Sequence, residues 1–253
     1  MTIRTVNTNG VAVIEIARPE KKNALTQAMY TAMAEAIAAA DADAAIRAVL
    51  ITGQPGIFTS GNDLEDFMTR PPQGEDSPVF QFMKALAECG KPVVAAVTGG
   101  AIGIGTTMLL HCDLVYVSDE ARLAMPFVGL GLVPEYASSL LVTQRVGHAK
   151  ATELLLLGEP FNGEAAVEMG IANAVLPAAE VVNHARRMAE RFNALPPGAV
   201  RESKALMRRA QKSLVEETIR TEAEIFGKRL RSPEAMEAFQ AFFQKRKPDF
   251  SRF

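Results

Sequence analysis

The chain has 253 residues, of which 48% are hydrophobic and 22% charged, with a formal net charge of −2. These values fit an ordinary soluble domain with room for a sizeable core, and they exclude a field built for nucleic acid or an anionic membrane. The two cysteines, Cys89 and Cys112, exclude a disulfide scaffold and suit a reduced cytoplasm.

The N-terminal "MTIRTVNTNG" is polar and lacks the apolar stretch of a signal peptide. "VAVIEIA" (11–17) alternates around Glu15 and predicts a strand, followed by the polar loop "RPEKKN". Thr26 is placed to cap a helix through "QAMYTAMAEAIAAA", a run of strong helix formers. "IRAVLITG" (46–53) predicts a second strand, and Ser60-Gly61-Asn62-Asp63 in the next loop is a turn signature. "RPPQGEDSP" (70–78) reads as a mobile loop. Pro92 to Leu110 carries no charge over 19 residues, close to the length of a membrane span. It opens with a β-branched run and then holds four glycines and three threonines, so a buried strand, a turn and a buried helix are expected instead. "LVYV" (114–117) is a further strand.

From Asn162 onward the pattern turns helical. "RESKALMRRAQKS", "LVEETIRTEAEIFGKRL" and "SPEAMEAFQAFFQKRK" predict three successive helices, the last capped by Ser232 with Pro233 in its first turn. Strands alternating with helices indicate an α/β fold. "ALPPG" (194–198) is the best boundary signal, dividing a core at 1–195 from a helical region at 196–253. The apolar face of that region, with Phe226, Phe239, Phe242 and Phe243, has to pack on the core or on a neighbouring subunit.

Neither CxxC nor HExxH occurs, and the three histidines are far apart in sequence, so no metal site is expected. "VTGGAIGIGTT" follows a strand and precedes a helix, but a dinucleotide fingerprint anchored on Gly103 and Gly105 fails at Met108. This loop and the one holding Ser60 each follow a strand. Two backbone N–H groups, one from each, would form an oxyanion hole if the loops converge. Glu135 is the only charged side chain between Leu123 and Gln144. After Pro134 it suits the first turn of a helix, where the dipole favours an acid. It also suits a carboxylate at the wall of an apolar pocket. The dipole would lower its pKa and the pocket would raise it.

"RPEKKNAL", "GIFTSGNDLEDF", "KPVVAAVTGGAIGIGTTMLLHCDLVYVSDEARL" and "GLGLVPEYASS" together resemble the enoyl-CoA hydratase/isomerase (crotonase) family, over nearly the whole chain and in order. The resemblance implies a spiral of repeated ββα units with a C-terminal helical region used in trimer contacts. It implies a homotrimer or hexamer acting on an acyl-CoA thioester, with no cofactor beyond the coenzyme A carried by the substrate. It places the oxyanion donors at the N–H groups of Ser60 and Ile104, and the substrate against Ala24, Leu25, Asp63, Leu64, Gly103 and Phe127. Arg18, Lys22 and Lys247 become candidates for the CoA phosphates. Read from its loop alone, Asp63 is a turn or cap residue. The two glutamates of typical hydratases fall at Thr107 and Phe127 here, which disfavours hydration. "P-E-x-x-S-S" after "S-G-N-D-L" is similar to the peroxisomal type of Δ3,Δ2-enoyl-CoA isomerase, which makes Glu135 the catalytic base. The closing Ser-Arg-Phe is a poor match to a peroxisomal address, so the cytoplasm is expected.

Overall fold

A computed structural model describes residues 2–72 and 74–253. In chain order its elements are β1 (Ile3–Thr8), β2 (Val11–Ile16), α1 (Gln27–Ala42), β3 (Ala48–Thr52), β4 (Ile57–Thr59), α2 (Leu64–Thr69), α3 (Pro78–Glu88), β5 (Val93–Val97), β6 (Gly100–Ile102) and α4 (Ile104–Thr107). The second half holds β7 (Leu114–Ser118), β8 (Arg122–Ala124), α5 (Ser138–Leu155), β9 (Phe161–Asn162), α6 (Gly163–Glu168), β10 (Ala174–Leu176), α7 (Val181–Glu190), α8 (Pro197–Arg209), α9 (Lys212–Arg229) and α10 (Pro233–Phe243).

The strands form two sheets, ordered β1-β2-β3-β5-β7-β10 and β4-β6-β8-β9. Strands β3, β5 and β7 lie parallel in the first sheet, and each is followed by a short strand in the second. This is the ββα spiral the resemblance implied. β3 and β5 are buried along their whole length, which explains why they read as continuous apolar runs rather than alternating ones.

Three local expectations change. The polar N-terminus is a strand, joined to β2 by a tight turn at Asn9 (φ 47°) and Gly10 (φ 70°). Four of its six residues are exposed, so no apolar pattern announced it. The segment 92–110 contains β6 between its strand and its helix. The chain is not wholly helical after Asn162, because β10 pairs with β7. Gln73, inside the loop predicted at 70–78, lies outside the described residues. The Thr26 and Ser232 caps form as expected, accepting from the N–H groups of Met29 and Ala235.

The C-terminal helices pack on the core they follow. Phe226 and Phe239 join the main hydrophobic cluster, whereas Phe242 and Phe243 are 59% and 50% exposed. α8 is tied down by charge. Lys204 Nζ donates to Asp113 Oδ2 (2.6 Å) and Arg208 to Asp113 Oδ1 (2.9 Å), while Asp113 Oδ2 also accepts the Val93 N–H (2.7 Å). Lys204 is 8% exposed, so removing its partner strands a buried cation. Asp113→Ala is expected to destabilise the fold by about 3 kcal/mol, read as a lowered urea midpoint at constant slope. Among the described residues no helix is long and apolar enough to cross a membrane.

Candidate active site

The β4–β6 pairing sets the two expected loops side by side. A Cβ on Gly61 would lie 2.9 Å from the Ile102 carbonyl oxygen, and one on Gly105 would lie 2.6 Å from Thr59 Cγ2. Glycine at both positions lets the loops touch. Asn23 holds the first loop in place: fully buried with φ 55°, it donates from Nδ2 to the carbonyls of Ile16, Ile57 and Phe58 at 3.0, 3.1 and 3.0 Å.

The oxyanion expectation is corrected on one side. Ser60 N–H donates to the Lys22 carbonyl (3.0 Å), and Gly61 N–H donates to Thr59 Oγ1 (3.1 Å), so neither is free. Among the described residues no acceptor takes the N–H of Asn62 or that of Ile104. Ile104 is the first residue of α4, where an N–H has no partner within the helix, and its side chain is fully buried. Gly103 makes the entry turn with φ 58° and accepts the N–H groups of Thr106 and Thr107.

Other carried-over residues divide by what already occupies them. Asp63 caps α2 through Oδ1 and accepts Arg18 Nη1 at Oδ2 (2.7 Å), so both oxygens are engaged, and the Arg18 guanidinium holds the carboxyl below its ordinary pKa despite burial. Asp63 is thus the cap its loop suggested rather than a substrate ligand. Arg18 donates from Nη1 to Asp63 and to the Ala24 carbonyl (2.9 Å), which fixes its guanidinium against the first loop. Leu25 is fully buried, its N–H donating to the Gly61 carbonyl and its own carbonyl accepting the Asp63 N–H. Phe127 is buried, its ring edge to face with that of Phe226 at 6.5 Å. Lys22 and Lys247 are exposed, while Ala24 and Leu64 are half-buried near the first loop.

Glu135 is 4% exposed and lies three residues before α5. The helix expected to start at Pro134 instead starts at Ser138, because Tyr136 and Ala137 take left-handed φ values of 60° and 56°. The dipole reading therefore loses its geometry. Burial pushes the Glu135 carboxyl up to about 8, with a smaller downward pull from Thr107 and an upward one from Glu222. Thr107 Oγ1 donates to Glu135 Oε1 (3.0 Å). The position where a hydratase acid was expected thus orients this carboxylate. Thr107→Val removes the one hydrogen bond this carboxylate accepts among the described residues and raises its pKa further. At pH 7 kcat is expected to fall about tenfold with KM little changed, and the pH–rate midpoint should move up.

Glu135 forms part of the wall of a cavity of about 600 Å³ whose floor includes Phe67, Phe80, Met83, Tyr136, Ile219 and Phe226. Arg220, Glu224 and Lys228, on α9, also line it. Tyr30 and Glu222 also belong here and escaped the sequence reading. Tyr30, fully buried on α1, donates to Asn62 Oδ1, and burial together with the Glu135 charge pushes its pKa far up. Both are ordinary-looking helix residues, and no local pattern marks them. His111 is a packed residue as expected, stacked on Tyr136 at 3.8 Å and driven down to about 3 by burial.

Comparison with known proteins agrees with this fold. The family described as Enoyl-CoA hydratase/isomerase matches residues 6–252. Among solved structures, Pseudomonas aeruginosa OdaA is 55% identical, with a TM-score of 0.94 over 95% of this chain and 98% of that one. A probable enoyl-CoA hydratase of Bacillus subtilis (strain 168) is 31% identical over 246 residues, 95% of each chain. Homo sapiens enoyl-CoA delta isomerase 2 is 32% identical over 252 residues, 97% of this chain and 64% of the human one. A match along almost the entire length, on a fold of the expected topology, means that this chain belongs to the enoyl-CoA hydratase/isomerase family.

Proposed function

We propose that the protein is a Δ3,Δ2-enoyl-CoA isomerase in which Glu135 is the single acid–base residue. The observation that carries this reading is a buried carboxylate in the wall of a largely apolar cavity, held by Thr107, with non-acids at the two hydratase positions. Hydration asks for one group to activate water and another to protonate the α-carbon. Thr107 and Phe127 supply neither.

Isomerisation asks for less. The α-protons of a 3-enoyl thioester are acidic because the anion spreads onto the thioester oxygen. Ionised Glu135 takes a proton from C2, and the electron pair moves into a dienolate. The N–H groups of Asn62 and Ile104, unpartnered within the fold, are offered to the developing oxyanion, with Asn62 now in place of Ser60. Glu135 then returns the proton at C4 and leaves the conjugated 2-enoyl-CoA. A carboxylate with its pKa raised is a stronger base for this step than an exposed one, and burial keeps water from the intermediate. Because the base must be ionised, kcat/KM of the free enzyme rises with pH towards about 8.

Coenzyme A arrives with the substrate, and no further cofactor enters the scheme. Lys22 and Lys247 remain the proposed phosphate contacts, and Ala24 and Leu64 the proposed flank of the site. A homotrimer or hexamer is part of the same proposal, as is a cytoplasmic setting, the latter supported by two free cysteines. The test is ultraviolet absorbance on adding 3-enoyl-CoA, beside 2-enoyl-CoA in water. A growing conjugated-enoyl signal is expected from the first and no loss from the second. Loss of the 2-enoyl signal would establish hydration instead. Silence in both with CoA-ester binding intact would point to a different thioester reaction or a binding protein.

A further inference from the structure

The turn that carries Glu135 is held from a distant part of the chain. Tyr136 and Ala137 are consecutive non-glycine residues in the left-handed region, a conformation that persists only where surroundings enforce it. Ala137 is the N-cap of α5 and brings no side-chain acceptor for the helix's first N–H groups. The acceptor comes from α9. The carboxylate of Glu222, itself 6% exposed, accepts the Ala137 N–H (2.5 Å), the Ser139 N–H (3.0 Å) and the Ser139 hydroxyl. Among the described residues no cation bridges it.

Two carboxylates therefore share one apolar region, and they are treated unequally. Glu222 has three donors, whereas Glu135 has one, the Thr107 hydroxyl. Burial pushes both carboxyls up; three donors oppose this at Glu222 and one at Glu135, so Glu222 ionises first and its charge adds to the proton affinity that burial gives Glu135. Other titratable groups facing Glu135 are Tyr30 from α1 and Tyr136 of the turn, both neutral at working pH. Arg220, Glu224 and Lys228 line the same cavity.

We infer that Glu222 is a positioning residue for Glu135: it clamps the left-handed turn that aims the base into the cavity, and it stands as a second carboxylate beside that base. The inference deepens the isomerase reading and rests on it for the word base. The clamp and the charge are properties of the protein alone.

The experiment titrates Glu135 in the full-length protein by carboxyl 13C NMR, with Glu135→Gln to assign the signal, and records pH–rate profiles in parallel. Glu222→Gln removes the like charge and one acceptor. The Glu135 midpoint is expected to fall by about one pH unit, and kcat on 3-enoyl-CoA to fall about tenfold. Ser139→Ala takes one donor from Glu222 while leaving the backbone intact, and should move the midpoint in the same direction by less. It serves if Glu222→Gln does not fold. A midpoint unmoved in the folded variants overturns the inference, even if stability drops, because a purely structural role predicts that result. If the wild type does not turn over 3-enoyl-CoA, the isomerase reading fails, and the NMR titration still decides the coupling.

Discussion

Glu135→Gln is expected to lose the proposed isomerisation by about 10⁴-fold and, at the same time, to stabilise the protein above pH 8. The first effect follows from the proposed single base: the other carboxylates lining the cavity, Glu75 and Glu224, are exposed surface groups, whereas Glu135 is buried. The second follows from burial. The folded-state pKa of Glu135 is raised from an ordinary 4.5 to about 8. Between those values the folded protein holds a proton that the unfolded chain has released. Stability therefore falls as pH rises through that window, and the full cost is present above the folded pKa. Glutamine keeps the shape, and its amide oxygen still accepts from Thr107, but it carries no charge to bury. The gain should be negligible near pH 4.5 and on the order of 4–5 kcal/mol at pH 8.5, a rise in Tm of roughly 10–20 °C. Thermal melts of both proteins at the two pH values measure it. Equal melting curves at pH 8.5 would mean that Glu135 is solvated in the resting protein. The combination is what a functional carboxylate in an unfavourable setting predicts, with stability given up for activity.

Gly61→Ala is expected to damage the site more than its single methyl suggests. Gly61 has φ +91°, where a side chain is strained whatever the space, and the added Cβ would meet the Ile102 carbonyl oxygen at 2.9 Å. That oxygen belongs to backbone, so relief comes only by separating the loop after β4 from the strand β6. Asn62 follows immediately, and its N–H would move with the loop. A displaced oxyanion donor costs about 10²–10³ in kcat with little change in KM. The fold should lose about 2–3 kcal/mol. Asn62→Ala is the control: it keeps the backbone N–H and removes only the acceptor of the Tyr30 hydroxyl, so its kcat should stay well above that of Gly61→Ala. If the two variants lose activity equally, the Asn62 side chain, and not the spacing of the loops, governs the site.

Much of this architecture was legible because it is local. The apolar runs at 48–52 and 93–97 read as buried strands, Thr26 and Ser232 announced helix starts, and the family motifs ran in order along the chain. β1 was missed because it faces solvent along most of its length, and β4, β6 and β8 because three residues are too few to show a period. A resemblance of motifs singled out Glu135, and it pointed to Ser60 N–H, which the fold engages elsewhere. Whether an N–H is free depends on what stands opposite it, and the Lys22 carbonyl opposite Ser60 is 38 residues earlier in the chain.

The sequence by itself determined the fold class, the caps and the solitary carboxylate in an apolar stretch. Those rest on periodicity, on single residues at helix ends and on the absence of other charge nearby. Only the tertiary structure decided the state of that carboxylate. Its pKa is set by burial under other elements, by a hydroxyl 28 residues before it on α4 and by a second carboxylate 87 residues after it on α9. Desolvation and Coulomb interaction depend on distance in space, and the chain brings these groups together only when it has folded.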